Sequence, residues 1–589
     1  MSARLVLRSG PQAARELGSP AFLEAWRDLA ARCPWSTVFQ RPSFVGAWYE
    51  TYAARYEPVL VLAHGEGGAL EGLLPLARSV DEPGGLVVAG ANQAEYHAWI
   101  CSPAEAGRFF ARALAELGCA FGSRPLAFRY LPEGFPVSLL AEEPLVRDRA
   151  DIRAVPRPIL DLASPEAAAP PSKQTKNKLN RLRKHGEVRF ERIIDRERFE
   201  EVLAEAMPLC DLRQGAVHDS MPFRQDDLKE AFHRALFERG DVLHVTALFA
   251  GTRPVSIQIN TYDEHSVYLG ISAYSPFFAH ASPGRLHIVL LPPLLAGEGF
   301  RRLDLTPGGD QYKERFAGAH DEVHELTVYA GRAERDRVRA RRRLAGAVKV
   351  ALGSVGIRRA SLGGSLPEPV LGASAILPGG EEGSGRYTFF SSAREGGGTA
   401  SSPQGATGST PGSMGPAPRR PAESTGKDML GSAPPAASAG SGGDAVAALL
   451  ECAYGLPRSA RRPFLSESLA RLERDELVLT FGDGRGGRYW AWFNPAPAEA
   501  SIGWGGKALS FPEGTGCLYD LGVISAPAPA GPPVEALRGI LAQCRALSRL
   551  RDIYVIAPEG GPWATAASEA GLERLGALEK PSRGGSRRP

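Results

Sequence analysis

The chain has 589 residues, 43% hydrophobic and 23% charged, the make-up of ordinary globular protein at a length that one core rarely supports. Its formal net charge of +3 excludes a polyanion binder as a whole, so basic character has to be local. The seven cysteines are scattered without a CxxC pair, which argues against a disulfide framework or a metal site and for reduced thiols in a cytoplasm.

Met1–Gly10 offers only the apolar run Leu5–Leu7, and the longest run, Ile288–Leu295, is broken by Pro292 and Pro293. The first is too short for a secretory core and the second for a membrane span, so a cytoplasmic protein is expected.

In chain order, the patterns predict a helix over Pro20–Arg32, strands over Pro58–Ala63, Leu70–Ala77 and Gly85–Ala89, a helix over Pro103–Leu117 and a strand over Leu126–Tyr130. After Pro158 come a basic helix (Gln174–His185), a strand (Val188–Ile194) and helices over Glu197–Met207 and Gln225–Glu238. Three consecutive strands follow, Val242–Phe249, Pro254–Tyr262 and Ser266–Ala273, then a helix (Pro283–Ala296) and a strand (Arg302–Leu305). A short helix (Gln311–Phe316) and a strand (Glu322–Tyr329) close this part, in an α+β order.

A tract from Ser361 to Gly443, dominated by Gly, Ser, Ala and Pro, reads as a disordered tether. Beyond it lie predicted strands at Glu476–Phe481, Arg488–Phe493 and Gly516–Ile524, a helix at Pro533–Leu547, a strand at Asp552–Ala557 and a helix at Trp563–Ala570. The expected domains are 1–155, 156–345 and 444–580, joined through a basic helix and linker over 346–443.

Three stretches between Thr175 and Phe316 carry chemistry. In SVYLGISAYSPFFAHASPGRLH a strand runs through Tyr274 to Ser282-Pro283-Gly284 and Arg285, a preferred helix start. It either simply begins a helix or presents free N–H groups and the helix dipole to a phosphate. In RRLDLTPGGDQYKERFAG, Asp304 is placed by a strand as a candidate general base, and Tyr312 and Lys313 follow a Gly-Gly turn as candidate stabilisers of a leaving thiolate or oxyanion. The alternative is that Asp304 pairs with Lys313 or caps the turn. The basic helix, with eight Lys/Arg against two Glu between Lys173 and Arg192, is either a solvated surface or an anion clamp. Lys176, Asn180 and Arg183, with Asp310 from the turn, are its candidate anion or substrate contacts.

Together with VFQRPSFVGAWYETY, LEGLLPLAR and GDVLHVTALFAGTRPVSIQI, these motifs resemble the CelD/BcsL family of GNAT-type acetyltransferases associated with cellulose and other exopolysaccharide biosynthesis. The resemblance covers roughly Thr37 to Tyr329. It implies tandem GNAT-like domains related to the Fem peptidyltransferases, with acyl-CoA as donor and a sugar or polysaccharide precursor as acceptor. It places Ser282 and Gly284 at the pyrophosphate loop, with Tyr274 and Arg285 as further candidate cofactor contacts, and Asp304, Gly308, Tyr312 and Lys313 at the acceptor or acyl end. Two departures are visible: Ala281–Leu286 holds one glycine where GNAT pyrophosphate loops hold more, and Asp310 stands where the family has glutamate.

The C-terminal domain has the strand–helix–strand–helix order of a second GNAT half, but Ala526–Pro533 is proline-rich where phosphate-cradling N–H groups belong, so a non-catalytic role is expected. Seven arginines over 332–343, followed by Leu344, Val348, Leu352 and Val355 on one face, read either as a solvated helix or as one resting on anionic lipid at the inner membrane face. No DNA partner is expected. RNA enters only under a Fem-like alternative using aminoacyl-tRNA, and a non-catalytic scaffold in a polysaccharide-assembly complex is the third reading.

Overall fold

The computed structural model describes residues 4–80, 85–165, 167, 171–308, 311–354, 386–392, 442–482, 488–495, 502–504, 507–509, 511, 515–525, 533–547, 550 and 552–579. Contacts divide the chain into two units, Met1–Cys210 with Pro222–Leu362 and Asp211–Met221 with Gly363–Pro589. The architecture is α+β throughout, as the alternation of periods in the sequence implies.

The first unit opens with β1 (Arg4–Ser9), α1 (Pro11–Leu17), α2 (Pro20–Arg32), α3 (Pro42–Thr51), β2 (Tyr56–His64), β3 (Leu70–Ser79), β4 (Leu86–Val88), β5 (Ile100–Cys101) and α4 (Ala106–Phe121). Its strands form one sheet in the order β1-β2-β3-β4, with β5 on β3. Helix α2 starts and stops where the pattern places it, because Ser19 caps its first turn and Pro20 fits position N1. The core here is aromatic: Trp26, Trp35, Trp48 and Trp99 are all buried, and Trp99 stacks on Phe110 with centroids 3.9 Å apart.

The chain continues through β6 (Leu126–Leu131), α5 (Val137–Glu142), α6 (Pro144–Arg149), β7 (Ala150–Asp161), α7 (Lys173–Arg183), β8 (Val188–Ile193), α8 (Arg196–His218), α9 (Pro222–Gln225) and α10 (Lys229–Arg239). Then come β9 (Leu243–Ala250), β10 (Arg253–Tyr262), β11 (Ser266–Tyr274), α11 (Pro283–Gly297), β12 (Arg302–Asp304), α12 (Gln311–Phe316), β13 (Ala319–Val328) and α13 (Arg332–Ser354). The second sheet has eight strands in the order β6-β13-β7-β12-β11-β10-β9-β8.

Strand β7 has no clear signal in the sequence because Pro156 and Pro158 interrupt it. Pro158 turns its carbonyl to Leu305 N, so its nitrogen also faces that side and both prolines spare the ladder to β13. The boundary expected at 155/156 falls inside β7, and β6 and β7 both belong to the eight-stranded sheet.

Side chains alternate across this sheet. One face, with Val267, Leu269, Leu303 and Leu305, is covered by Leu291 and Leu295 of α11. The neighbours Tyr268 and Asp304, paired in register, belong to the other face, where Phe39 and Tyr96 pack on Tyr268.

In α13, Arg335 donates to Arg147 O, and Arg339 and Arg342 hold Asp151, so part of its positive charge is spent on the body of this unit. The side chains of Leu344 and Val348 and all of Val355 lie outside the described residues. Among the described residues no helix is long and apolar enough to cross a membrane.

The second unit contains β14 (Arg386–Ser391), α14 (Gly442–Gly455), α15 (Arg458–Leu472), β15 (Leu477–Gly482), β16 (Arg488–Asn494), β17 (Ile502–Trp504), β18 (Lys507–Leu509), β19 (Thr515–Ser525), α16 (Val534–Leu547), β20 (Asp552–Pro558), α17 (Pro562–Glu569) and β21 (Glu573–Glu579). Its main sheet runs β15-β16-β19-β20-β14-β21. Of the tract read as a tether, most lies outside the described residues, but Arg386–Ser391 forms a strand paired on both edges. RYTFFS is β-favouring, and its six residues were hidden by the composition around them. The loop Ala526–Pro533 lies outside the described residues except Pro533.

Candidate active site

Strands β11 and β12 run parallel for only three pairs, Ser266–Arg302, Val267–Leu303 and Tyr268–Asp304. Beyond them β11 continues to Tyr274 with only β10 at its side, leaving the β12 edge of its last six residues without a strand partner among the described residues. The chain then turns through Ser282, in the left-handed region at φ 51°, into α11.

Ser282 gives α11 no side-chain cap, and Pro283 at the first position has no N–H to offer. Its hydroxyl is instead 2.8 Å from Lys178 Nζ of α7. Arg181 of the same helix donates to His280 O at 2.8 Å. Desolvation first, then the charges of Arg285 and Arg181, push the Lys178 ammonium below its ordinary value. Three cations therefore gather at the positive end of a helix dipole, an arrangement that favours an anion.

Gly284 lies on the first turn of α11 because a Cβ there would come within 2.8 Å of Tyr274 Cδ1. The four residues expected to bind the cofactor, Tyr274, Ser282, Gly284 and Arg285, are thus one cluster. Of the expected basic-helix contacts, Lys176, Asn180 and Arg183 are exposed, and Asn180 accepts from Arg183 at 2.5 Å. The helix turns Thr175 and Leu182 inward, and the cations that reach the turn before α11 are the half-buried Lys178 and the exposed Arg181. Composition shows the charge of α7; only its packing phase shows which side carries the contact.

Asp304 has no solvent exposure. Its Oδ2 accepts from Tyr96 Oη at 2.7 Å and from Arg157 Nη1 at 2.9 Å, and its Oδ1 accepts from Thr306 N at 2.8 Å. Burial pushes its carboxyl above the usual aspartate range, while the Arg157 guanidinium and these donors pull the other way. Arg157 in turn holds Asp321 and Glu133. The ion-pair partner of Asp304 is thus Arg157 and not Lys313, and the group offered as a free base is enclosed in a network.

Lys313 is buried and spans the turn after β12. Its Nζ donates to Thr306 Oγ1 at 3.0 Å, Thr306 O at 3.2 Å and Pro307 O at 3.4 Å. Thr306 has φ 61°, a conformation that costs a β-branched residue, and the Asp304 and Lys313 contacts hold it there from two sides. Asp310 and the side chain of Tyr312 lie outside the described residues.

Sequence reading missed Tyr96, Arg157 and Glu95. Tyr96 and Glu95 sit in the loop between β4 and β5, and Arg157 lies between two prolines; neither segment has a period that singles a residue out. Glu95 is mostly buried, its Oε2 is 3.4 Å from Arg129 Nη2, and its Oε1 has no hydrogen-bond partner among the described residues. A cavity of about 310 Å³, lined by Trp35, Arg41, Glu133, Arg157, Glu264 and Arg302 among others, opens at the opposite end of β11 and β12 and reaches the Asp304 network through Arg157.

Residues 172–314 match the family model described as an acetyltransferase (GNAT) domain. No curated protein matches the chain. Among solved structures, the chain is similar to the C-terminal domain of a putative lysylphosphatidylglycerol synthetase from Agrobacterium fabrum, with 11% identity, a TM-score of 0.36 and coverage of 54% of this chain and 92% of that one. It is similar to FemX at 10% identity and TM-score 0.36, covering 52% and 94% of the two chains. It is also similar to a tandem GNAT protein from the clavulanic acid biosynthesis pathway at 14% identity and TM-score 0.33, covering 56% and 99%. The segment that holds α7, the parting strands β11 and β12 and the start of α11 is therefore the part of the chain that matches the acetyltransferase (GNAT) domain model.

Proposed function

We propose that the chain transfers an acyl group from acyl-CoA to an amine or hydroxyl acceptor, and that this acceptor is a sugar or polysaccharide precursor, as in the CelD/BcsL family it resembles. The observation that carries the donor reading is the gathering of Lys178, Arg181 and Arg285 at the uncapped start of α11, beside the end of β11 that has parted from β12. A pyrophosphate takes the cations and the helix end, and the open β11 edge can receive an amide-bearing arm by backbone hydrogen bonds.

In this reading Asp304, Arg157 and Lys313 are positioning residues, because their polar atoms are already engaged in holding the end of β12 and the Thr306 turn. Tyr274 packs against Gly284 and shapes the donor cleft. The C-terminal unit is non-catalytic. Calorimetric titration of the full chain with acetyl-CoA tests the reading: binding that Lys178→Glu weakens supports it, and no binding at millimolar ligand sinks it.

A second reading, transfer from aminoacyl-tRNA, draws on the exposed outer face of α7 with Lys176, Arg183 and Lys184. Such a partner predicts tRNA binding that falls steeply with salt, as phosphate neutralisation releases counterions. Salt-insensitive or absent binding removes it.

A further inference from the structure

The Asp304 carboxylate is already held by Tyr96, Arg157 and Thr306 N, so the transfer needs a proton acceptor elsewhere. Glu95 is the carboxylate that the structure leaves incomplete. Its side chain is 18% exposed, and Oε1 is buried without a hydrogen-bond donor among the described residues. Buried carboxylate oxygens are ordinarily satisfied, and a specific exception calls for a reason.

The loop around Glu95 is not free to relieve it. Gln40 Nε2 donates to Tyr96 O at 2.8 Å, the Tyr96 hydroxyl is on Asp304, and His97 N donates to Tyr130 O at 2.8 Å. His97 itself is locked between Ala91 O, 2.9 Å from Nε2, and Arg129 N, which donates to Nδ1 at 3.1 Å. The backbone on both sides of Glu95 is therefore pinned, one anchor being the same Asp304 that ends β12.

The charged and titratable groups that face Glu95 come from four elements: Arg129 and Tyr130 on β6, Asp304 on β12, Lys313 on α12 and Tyr96 in its own loop. Burial pushes its carboxyl above the ordinary glutamate range, against the pull of Arg129 and Lys313. A carboxylate nearer to neutrality is a better partner for a proton leaving an alcohol or ammonium.

We propose that Glu95 is the proton acceptor of the acyl transfer, with Oε1 taking the hydrogen bond of the incoming amine or hydroxyl. This assignment rests on the acyl-CoA reading above. The nucleophile's lone pair forms the new N–C or O–C bond and the C–S pair leaves on sulfur. The nucleophile's proton passes to Glu95 Oε1 and then, directly or through water, to the CoA thiolate, giving the free thiol and restoring the carboxylate.

The test uses the full chain, acetyl-CoA and glucosamine as a probe acceptor bearing both an amine and hydroxyls, with thiol release as the readout. Glu95→Gln keeps the shape of the side chain; it should bind acetyl-CoA as the wild type does, lose rate on the order of a hundredfold or more, and lose the acid limb of kcat/KM. Glu95→Asp should regain part of the rate and keep an acid limb. An E95Q variant with wild-type rate and acid limb overturns the assignment, as does one that loses acetyl-CoA binding along with rate. A wild type that fails to bind acetyl-CoA overturns the donor reading itself, and one that binds it but releases no thiol to glucosamine or water overturns the transfer.

Discussion

The Tyr96 hydroxyl donates to Asp304 Oδ2 across 2.7 Å although 208 residues separate the two in the chain. That contact ties the loop after β4 to the end of β12, the place where β11 and β12 part. It makes the first part of the unit a component of the site and not a separate neighbour.

Removing the contact should cost stability. Tyr96→Phe deletes one donor to a fully buried carboxylate and should destabilise the first unit by about 1–3 kcal/mol. Asp304→Asn should cost more, about 3 kcal/mol, because it removes the unexposed one of the three carboxylates on the buried Arg157 guanidinium. Urea denaturation of both variants checks the order, and equal stability for all three proteins contradicts it.

Gly284→Ala puts a methyl group 2.8 Å from the Tyr274 ring and must shift either the ring or the first turn of α11. Acetyl-CoA binding should weaken, with a stability loss of about 1–3 kcal/mol. Combining it with Tyr274→Ala should restore part of both, since the clash is then gone. A purely additive double variant contradicts the packing argument.

The two faces of α7 should separate by charge reversal. Lys178→Glu should weaken acetyl-CoA binding on the order of tenfold or more, about 1.4 kcal/mol, with a shallower salt dependence. Lys176→Glu, on the exposed face, should leave it nearly unchanged.

Acid should unfold the first unit through its buried histidines. Burial lowers His97 to about 4 and His287 and His233 to about 3. Below about 6.5 the unfolded chain takes up these protons and the folded chain does not. Stability should therefore be highest above pH ~6.5 and fall as pH drops towards 4, by about 1.4 kcal/mol per pH unit for each such histidine. Thermal melts across pH 4–7.5 measure it, and His97→Gln should flatten the slope.

Deleting 386–392 should damage the second unit even though the segment lies in a Gly/Ser/Pro-rich tract. It removes β14 from between β20 and β21 and strips both of ladder partners. Hydrogen exchange over 552–579 should speed up, and unchanged exchange there contradicts the pairing.

The sequence alone determined the order of strands and helices from β8 to β13, because each element there has a strong period and clear punctuation: Ser282-Pro283 begins α11, and hydrophobic alternation marks β9 to β11. It also singled out a basic helix, a helix start and an Asp-turn-Lys segment as candidates. Strand β7 stayed hidden because its prolines break the local signal, and β14 because its six residues are diluted by low-complexity neighbours; both are strands by virtue of partners far along the chain. The site divides in the same way. Ser282, Gly284 and Tyr274 were legible because local chain geometry brings them together. The face of α7 that turns inward, the enclosure of Asp304 by Tyr96 and Arg157, and the unsatisfied oxygen of Glu95 were decided by tertiary packing alone, since a side chain's hydrogen-bond partners and its burial depend on contacts that no local pattern encodes.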